Sequence, residues 1–260
     1  MLHKALRTWS AVVKVLRSIS HMLAGMWTIW RHFGSATQPQ RAQHVQQWSQ
    51  DFLNILQVQL RTTGTPHTAG PLLVVANHIS WLDILVMLAV QPVSFVSKSE
   101  IKSWPLIGWL ATNAGTLYIE RTSRRDALRV VHHIAEALTE PTEGPAPRPA
   151  SIIAVFPEGT TSDGSTVLPF HANLIQAAIS AHAPVQPIAL RYNDAATGAL
   201  SLAPTYVGDD NLITSAWRML TSGKVEAVVH FTPVQHANGR DRRTWAADLQ
   251  VCVAQALEQS

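Results

Sequence analysis

Short apolar runs alternate with longer amphipathic ones along most of this chain. Residues 72–76 (LLVVA), 93–97, 117–119, 152–156, 185–191 and 225–232 have the length and apolar density of strands, and 201–207 is a further strand expectation. Between them lie helical patterns. Residues 84–90 follow Ser80, a capping residue type, with Asp83 in the first turn, and 126–138 carry Leu128, Val131, Ile134, Ala135 and Leu138 on one face. Residues 104–115 suit a short apolar helix, and 173–181, 211–220 and 241–257 complete the alternation. Strands interleaved with helices predict an α/β fold, an αβα sandwich around a largely parallel central sheet.

The first sixty residues read differently. Two helical patterns, 3–33 and 40–61, are joined by a turn at 34–39 and predict a helical hairpin. Loop composition at 62–70 divides the chain into an N-terminal hairpin, 1–62, and an α/β domain, 63–260. The proline-rich segment 139–150 reads as a loop or small insertion.

Composition sharpens the reading of the hairpin. Only 14% of the 260 residues are charged, 47% are hydrophobic and nine are tryptophan, which points to contact with lipid. Up to Arg61 there are seven lysines and arginines against Asp51 alone, while the remainder is mildly acidic. An anionic partner is implied for that quarter. Residues 18–30 lack Lys, Arg, Asp and Glu, but 13 residues fall short of the roughly 20 that a spanning helix needs. No small-residue cleavage site follows, which argues against a signal peptide. The reading adopted is a helix lying in the membrane interface, with Trp9, Trp27 and Trp30 at headgroup depth and the cations on acidic lipid. A core helix and a spanning anchor are the other readings. A nucleic-acid partner would suit the charge, but not the tryptophan-rich faces or the lack of a reading motif. The single cysteine, Cys252, forms no internal disulfide, and no Cys/His spacing suggests zinc.

Candidate chemistry sits where the 72–76 strand breaks at Asn77-His78. On a continuous helix, positions five apart are rotated by about 140° and do not face each other. His78 therefore meets Asp83 only if it lies before the helix and folds back over its first turn. The carboxylate would then fix the imidazole tautomer and leave the other nitrogen to take a proton from an attacking alcohol. Taken alone, the spacing also fits a histidine in a turn and an aspartate capping a helix. Other strand ends add weight, because open α/β sheets bind ligands there. Lys98, Glu120-Arg121 and the Glu158-Gly159-Thr160-Thr161-Ser162 turn all follow predicted strands. Arg121 and Lys98 suit a phosphate, and Gly159 lets backbone N–H groups approach an oxyanion. There is no G-x-S-x-G elbow, and nothing activates Ser80 as a nucleophile.

Four blocks in order resemble the lysophosphatidic-acid acyltransferase family of glycerolipid acyltransferases. They are Asn77-His78-x4-Asp83, Gly115 to Arg121, Phe156-Pro157-Glu158-Gly159-Thr160-Thr161-Ser162, and Val185-Gln186-Pro187-Ile188. The resemblance implies the glycerolipid acyltransferase fold with a two-helix membrane foot. It implies His78 as general base and Asp83 as the acid that orients it. Lys98, Arg121, Glu158 and Gly159, with Thr160 and Thr161 of the same block, would hold the acceptor's glycerol-phosphate end. The donor would be acyl-CoA or an acyl carrier protein thioester, with direct transfer and neither metal nor other cofactor. The place implied is the cytoplasmic face of the inner membrane, in a monotopic or peripheral mode. One position departs: Thr161 stands where the family has arginine. Threonine brings no charge, and a branch acylating lyso-ornithine lipid is similar in having E-G-T-T-S. Lysophosphatidic acid and lyso-ornithine lipid, or a lysophosphodiester lipid, therefore both remain as acceptors. A catalytically silent lipid-binding adaptor is the reading outside the enzyme class.

Overall fold

The structure is a computed structural model. It describes the backbone of residues 2–119, 124–139 and 151–259, and the side chains of all of these except 2–6 and 124–128. Arg121, Glu120 and residues 140–150 of the proline-rich segment lie outside the described residues. In chain order the elements are α1 (Leu2–His32), α2 (Gln38–Leu56), β1 (Val58–Thr63), β2 (Leu72–Ala76), α3 (Leu82–Val90) and β3 (Ser94–Lys98). A 3-10 turn, Ser99–Ser103, leads to α4 (Ile107–Asn113), β4 (Leu117–Ile119), α5 (Arg124–Leu138), β5 (Ile152–Val155) and α6 (Ala172–Ser180). The chain closes with β6 (Val185–Asp194), α7 (Leu212–Thr221), β7 (Val225–Phe231) and α8 (Arg242–Glu258).

The strands form a seven-stranded sheet in the order β1-β7-β6-β2-β5-β3-β4. β6, β2, β5, β3 and β4 run parallel; β7 is antiparallel to β6, and β1 is parallel to β7. All five residues of β2, in the middle, are buried. Successive strand side chains point to opposite faces, so Leu72, Val74 and Ala76 enter one core while Leu73 and Val75 enter the other. The first core takes Leu53, Leu56, Leu82, Val86 and Met219 from α2, α3 and α7; the second takes Ile134, Leu138, Ile175, Trp245 and Leu249 from α5, α6 and α8. Each fully buried large aliphatic side chain contributes about 1.5–3 kcal/mol. The layers are the αβα sandwich expected from the sequence.

Two expectations are corrected. The second helix does not run to Arg61. It stops at Leu56, where Gln57 adopts a left-handed conformation with φ 62° and its N–H returns to the carbonyls of Leu53 and Asn54. The alternating VQLRTT that follows pairs with β7 as an edge strand, and this strand crosses the division drawn at 62/63. Residues 201–207, expected as a strand, form no strand; they make a strap whose Tyr206 N–H donates to the Ile79 carbonyl at 3.1 Å.

α1 and α2 form the hairpin. His21 stacks on Trp48 at 5.1 Å, the Trp48 indole N–H donates to the His21 carbonyl, and His21 Nε2 lies 2.9 Å from the Trp48 carbonyl. A side chain on Gly25 would strike the indole, so only glycine allows this approach. Not every cation of α1 faces outward: Lys14 is buried, with Nζ 3.4 Å from the Leu220 carbonyl of α7. That position lies against protein, not against lipid headgroups.

Candidate active site

β2 ends at Ala76, and the two residues after it are fixed by different means. Asn77 is fully buried; its amide donates to the Leu190 carbonyl at 2.9 Å and accepts the Leu190 N–H at 2.7 Å, tying the strand end to β6. His78 is held on every side but one. Its N–H donates to Glu158 Oε1 at 3.2 Å and its carbonyl accepts the Ser162 N–H at 2.8 Å. Its ring stacks on Phe156 with centroids 4.0 Å apart and planes 8° apart, and Phe95 lies behind Phe156 at 5.8 Å. Its Nδ1 lies 2.7 Å from Asp83 Oδ2.

Asp83 comes from the first turn of α3, and its carboxylate reaches back over the corner. Oδ2 also accepts the N–H groups of Ile79 and Ser80 at 2.7 and 2.9 Å, and Oδ1 accepts the Tyr192 hydroxyl at 2.7 Å. Asp83 is fully buried, and these four donors offset the cost of burying its charge. Burial and the Asp83 charge push the Tyr192 phenol well above its usual pKa, so it remains a donor. A carboxylate only accepts, so Nδ1–H is the donor to Asp83 and Nε2 is the nitrogen free of that bond. The His78 side chain is 22% exposed. The arrangement holds the imidazole with Nδ1 turned to the carboxylate and Nε2 turned away from it. Ser80, read as the helix cap, uses its hydroxyl to accept the Leu82 N–H at 3.2 Å.

Glu158 follows β5, next to β2 in the sheet. It is 4% exposed, and Oε2 has no hydrogen-bond partner among the described residues. Burial, with a smaller push from the Asp83 charge, raises its carboxyl to about 8 against the lowering effect of the His78 and Leu168 N–H groups. At neutral pH it is mostly uncharged. Its contact with the His78 N–H makes it a positioning residue for the base. Gly159 has φ +70°, the region that favours glycine, and it and Thr160 are exposed. The Thr161 hydroxyl is turned from the acceptor side, donating to the Tyr206 carbonyl of the strap.

Lys98 ends β3, two strands from β2 and therefore about 10 Å away across the sheet. It is exposed and at the same carboxyl edge. The structure brings His78, Asp83 and the Glu158–Thr161 turn into one place, with Lys98 further along that edge. Sequence reasoning missed Tyr192, 109 residues from its partner, because a phenol in an apolar strand carries no sign of what it faces. It also missed the stack with Phe156, although that residue opens the third block.

The sequence model of the Acyltransferase family matches residues 57–191. The chain is 42% identical over 172 residues to the 1-acyl-sn-glycerol-3-phosphate acyltransferase of Neisseria gonorrhoeae, an alignment covering 66% of this chain and 63% of that protein. It thus spans a little under two thirds of that relative's length. It is 33% identical over 224 residues to the lyso-ornithine lipid O-acyltransferase of Pseudomonas aeruginosa, covering 86% of this chain and 82% of the relative. The crystal structure of the 1-acyl-sn-glycerophosphate acyltransferase PlsC from Thermotoga maritima superposes with a TM-score of 0.72 at 18% identity, over 99% of this chain and 97% of that one, and has the same fold. With the matched region containing β2, the His78–Asp83 corner and the Glu158 turn, the chain belongs to the Acyltransferase family.

Proposed function

We propose that the protein is an O-acyltransferase that moves a fatty acyl group from acyl-CoA or an acyl carrier protein to the free hydroxyl of 1-acylglycerol-3-phosphate, giving phosphatidic acid. The observation that carries this reading is the 2.7 Å bond between His78 Nδ1 and Asp83 Oδ2, which turns Nε2 away from the acid on a partly exposed side chain. Nε2 takes the hydroxyl proton as the alkoxide oxygen attacks the thioester carbonyl. The tetrahedral intermediate collapses, the C–S bond breaks, and the imidazolium returns the proton to the departing thiolate. A positioned base of this kind contributes about 10²–10⁴ in rate. The reading needs no cofactor beyond the acyl thioester.

α1 supports a surface mode of membrane attachment. Trp9, Leu16, Leu23, Trp27 and Trp30 are at least half exposed, and Trp104, Ile107 and Trp109 add apolar surface around α4, which α1 contacts. Among the described residues no helix is long and apolar enough to cross a membrane. The proposed location is the cytoplasmic face of the inner membrane, the side from which acyl-CoA or acyl carrier protein would deliver the donor.

A second reading, lyso-ornithine lipid as acceptor, is favoured by Thr161. It has no charge, and its hydroxyl is spent on Tyr206. The test is a competition between lysophosphatidic acid and lyso-ornithine lipid with labelled acyl donor. Preferential labelling of phosphatidic acid supports the first reading, labelled ornithine lipid supports the second, and no transfer to either sinks both.

A further inference from the structure

The turn beside the base carries a histidine that the reaction above does not use. His171 precedes α6, and its N–H donates to the Pro157 carbonyl at 2.8 Å. That bond brings its ring over the next turn. A Cβ on Gly159 would lie 2.9 Å from Cδ2 and 3.0 Å from Nε2 of the His171 ring, so the imidazole rests directly on the glycine. Both residues are exposed. Neither ring nitrogen of His171, nor the N–H of Thr160 or Thr161, has a hydrogen-bond partner among the described residues.

The same turn reaches the base within one residue. Glu158 accepts the His78 N–H, and Ser162 donates to the His78 carbonyl. With consecutive Cα atoms 3.8 Å apart, the His171 ring is on the order of 10 Å from the reacting imidazole. A hydroxyl and a headgroup oxyanion a few bonds apart span such a gap. Of the turn's other side chains, Thr161 has given its hydroxyl to Tyr206 and Glu158 is buried, so the exposed Thr160 hydroxyl is the other side-chain donor that the turn offers beside His171. The largely uncharged state of Glu158 near neutrality also lowers its repulsion of an anion. An imidazole offers at least one N–H in either charge state.

We propose that His171 is a specificity-determining residue that donates a hydrogen bond to the headgroup oxyanion of the acceptor lipid, phosphate or carboxylate, alongside the N–H groups of Thr160 and Thr161. This rests on the acyltransferase reading for its substrate, but its binding step can be measured without turnover. The test uses the full chain and two variants, His171→Ala and His171→Phe; the second keeps a ring against Gly159 without a donor. His171→Gln, which retains an N–H, is the rescue. Equilibrium binding of lysophosphatidic acid and of lyso-ornithine lipid is measured without donor, followed by KM and kcat with donor. For at least one acceptor, both donor-less variants should weaken binding and raise KM about tenfold or more, with kcat within about twofold and partial recovery in His171→Gln. An effect confined to lysophosphatidic acid assigns a phosphate, and one confined to lyso-ornithine lipid a carboxylate. Weakened binding in a protein that transfers no acyl group would sustain this inference while removing the acyltransferase reading. Binding of both acceptors within twofold of wild type in a folded His171→Ala or His171→Phe would overturn it, as would a wild type that binds neither.

Discussion

Tyr192 and Asp83, 109 residues apart, meet at 2.7 Å in the interior, the phenol donating to the carboxylate oxygen that His78 leaves free. The contact links the long strand β6 to the first turn of α3, so the acid that orients the base is itself oriented by the sheet. Tyr192→Phe removes this donor and leaves Oδ1 buried. We expect a loss of about 1–3 kcal/mol in stability, read from urea unfolding. Turnover should fall less than on removal of His78, because the bonds from Ile79, Ser80 and His78 remain. An unchanged unfolding midpoint would show that the contact is energetically idle.

Glu158 gives a pH signature. Its carboxyl, ordinarily near 4.5, holds its proton up to about 8 in the folded chain. Between those values the native state binds more protons than the unfolded state, so this group makes stability fall as pH rises through the window. Below it both states are protonated, and above it the full penalty of a buried charge is felt. Glu158→Gln keeps an acceptor for the His78 N–H but does not titrate. Its unfolding midpoint should decline less than that of wild type between about pH 5 and about pH 8. Parallel curves would contradict the assignment.

The corner was the most legible part of the molecule. An unbroken apolar run that stops at Asn77-His78, before a helix with an acid in its first turn, leaves few local structures. The geometric requirement that His78 lie outside the helix is met. The edge strand was harder to read: Val58 and Leu60 satisfy a helical stripe and an alternating strand equally, and only pairing with β7 decides between them. The expectation of a lipid-facing Lys14 fails because periodicity reveals which residues share a face, not what covers it. The Tyr206 bond to Thr161 is invisible locally, since it depends on where a strap 45 residues away comes to rest.

Position 161 tests the acceptor. Thr161→Arg adds a charge beside the Gly159 turn, and a charge-assisted bond contributes about 1.5–3 kcal/mol against about 1 for a neutral one. The ratio of kcat/KM for lysophosphatidic acid over lyso-ornithine lipid should rise several-fold. Thr161→Val loses the bond to Tyr206 without adding charge and should leave that ratio unchanged. If both variants move the ratio alike, strap position and not charge sets the preference.

The membrane face is tested on α1. Trp27 and Trp30 are 62% and 69% exposed with ring centroids 5.0 Å apart. Replacing both with serine should weaken binding to anionic vesicles by about tenfold or more. Lys14→Met should not, because desolvation lowers the pKa of that ammonium and its position faces Leu220. Equal losses in the two variants would mean that α1 presents a different side to lipid.

The account stands on the imidazole of His78 as the group that removes the acceptor's proton. The most direct measurement is the single-turnover rate of acyl transfer from a labelled thioester to a lysolipid by His78→Ala, beside wild type with a matching unfolding curve. We expect the rate to fall by about 10²–10⁴. A folded His78→Ala that transfers acyl groups at near wild-type rate would contradict the account.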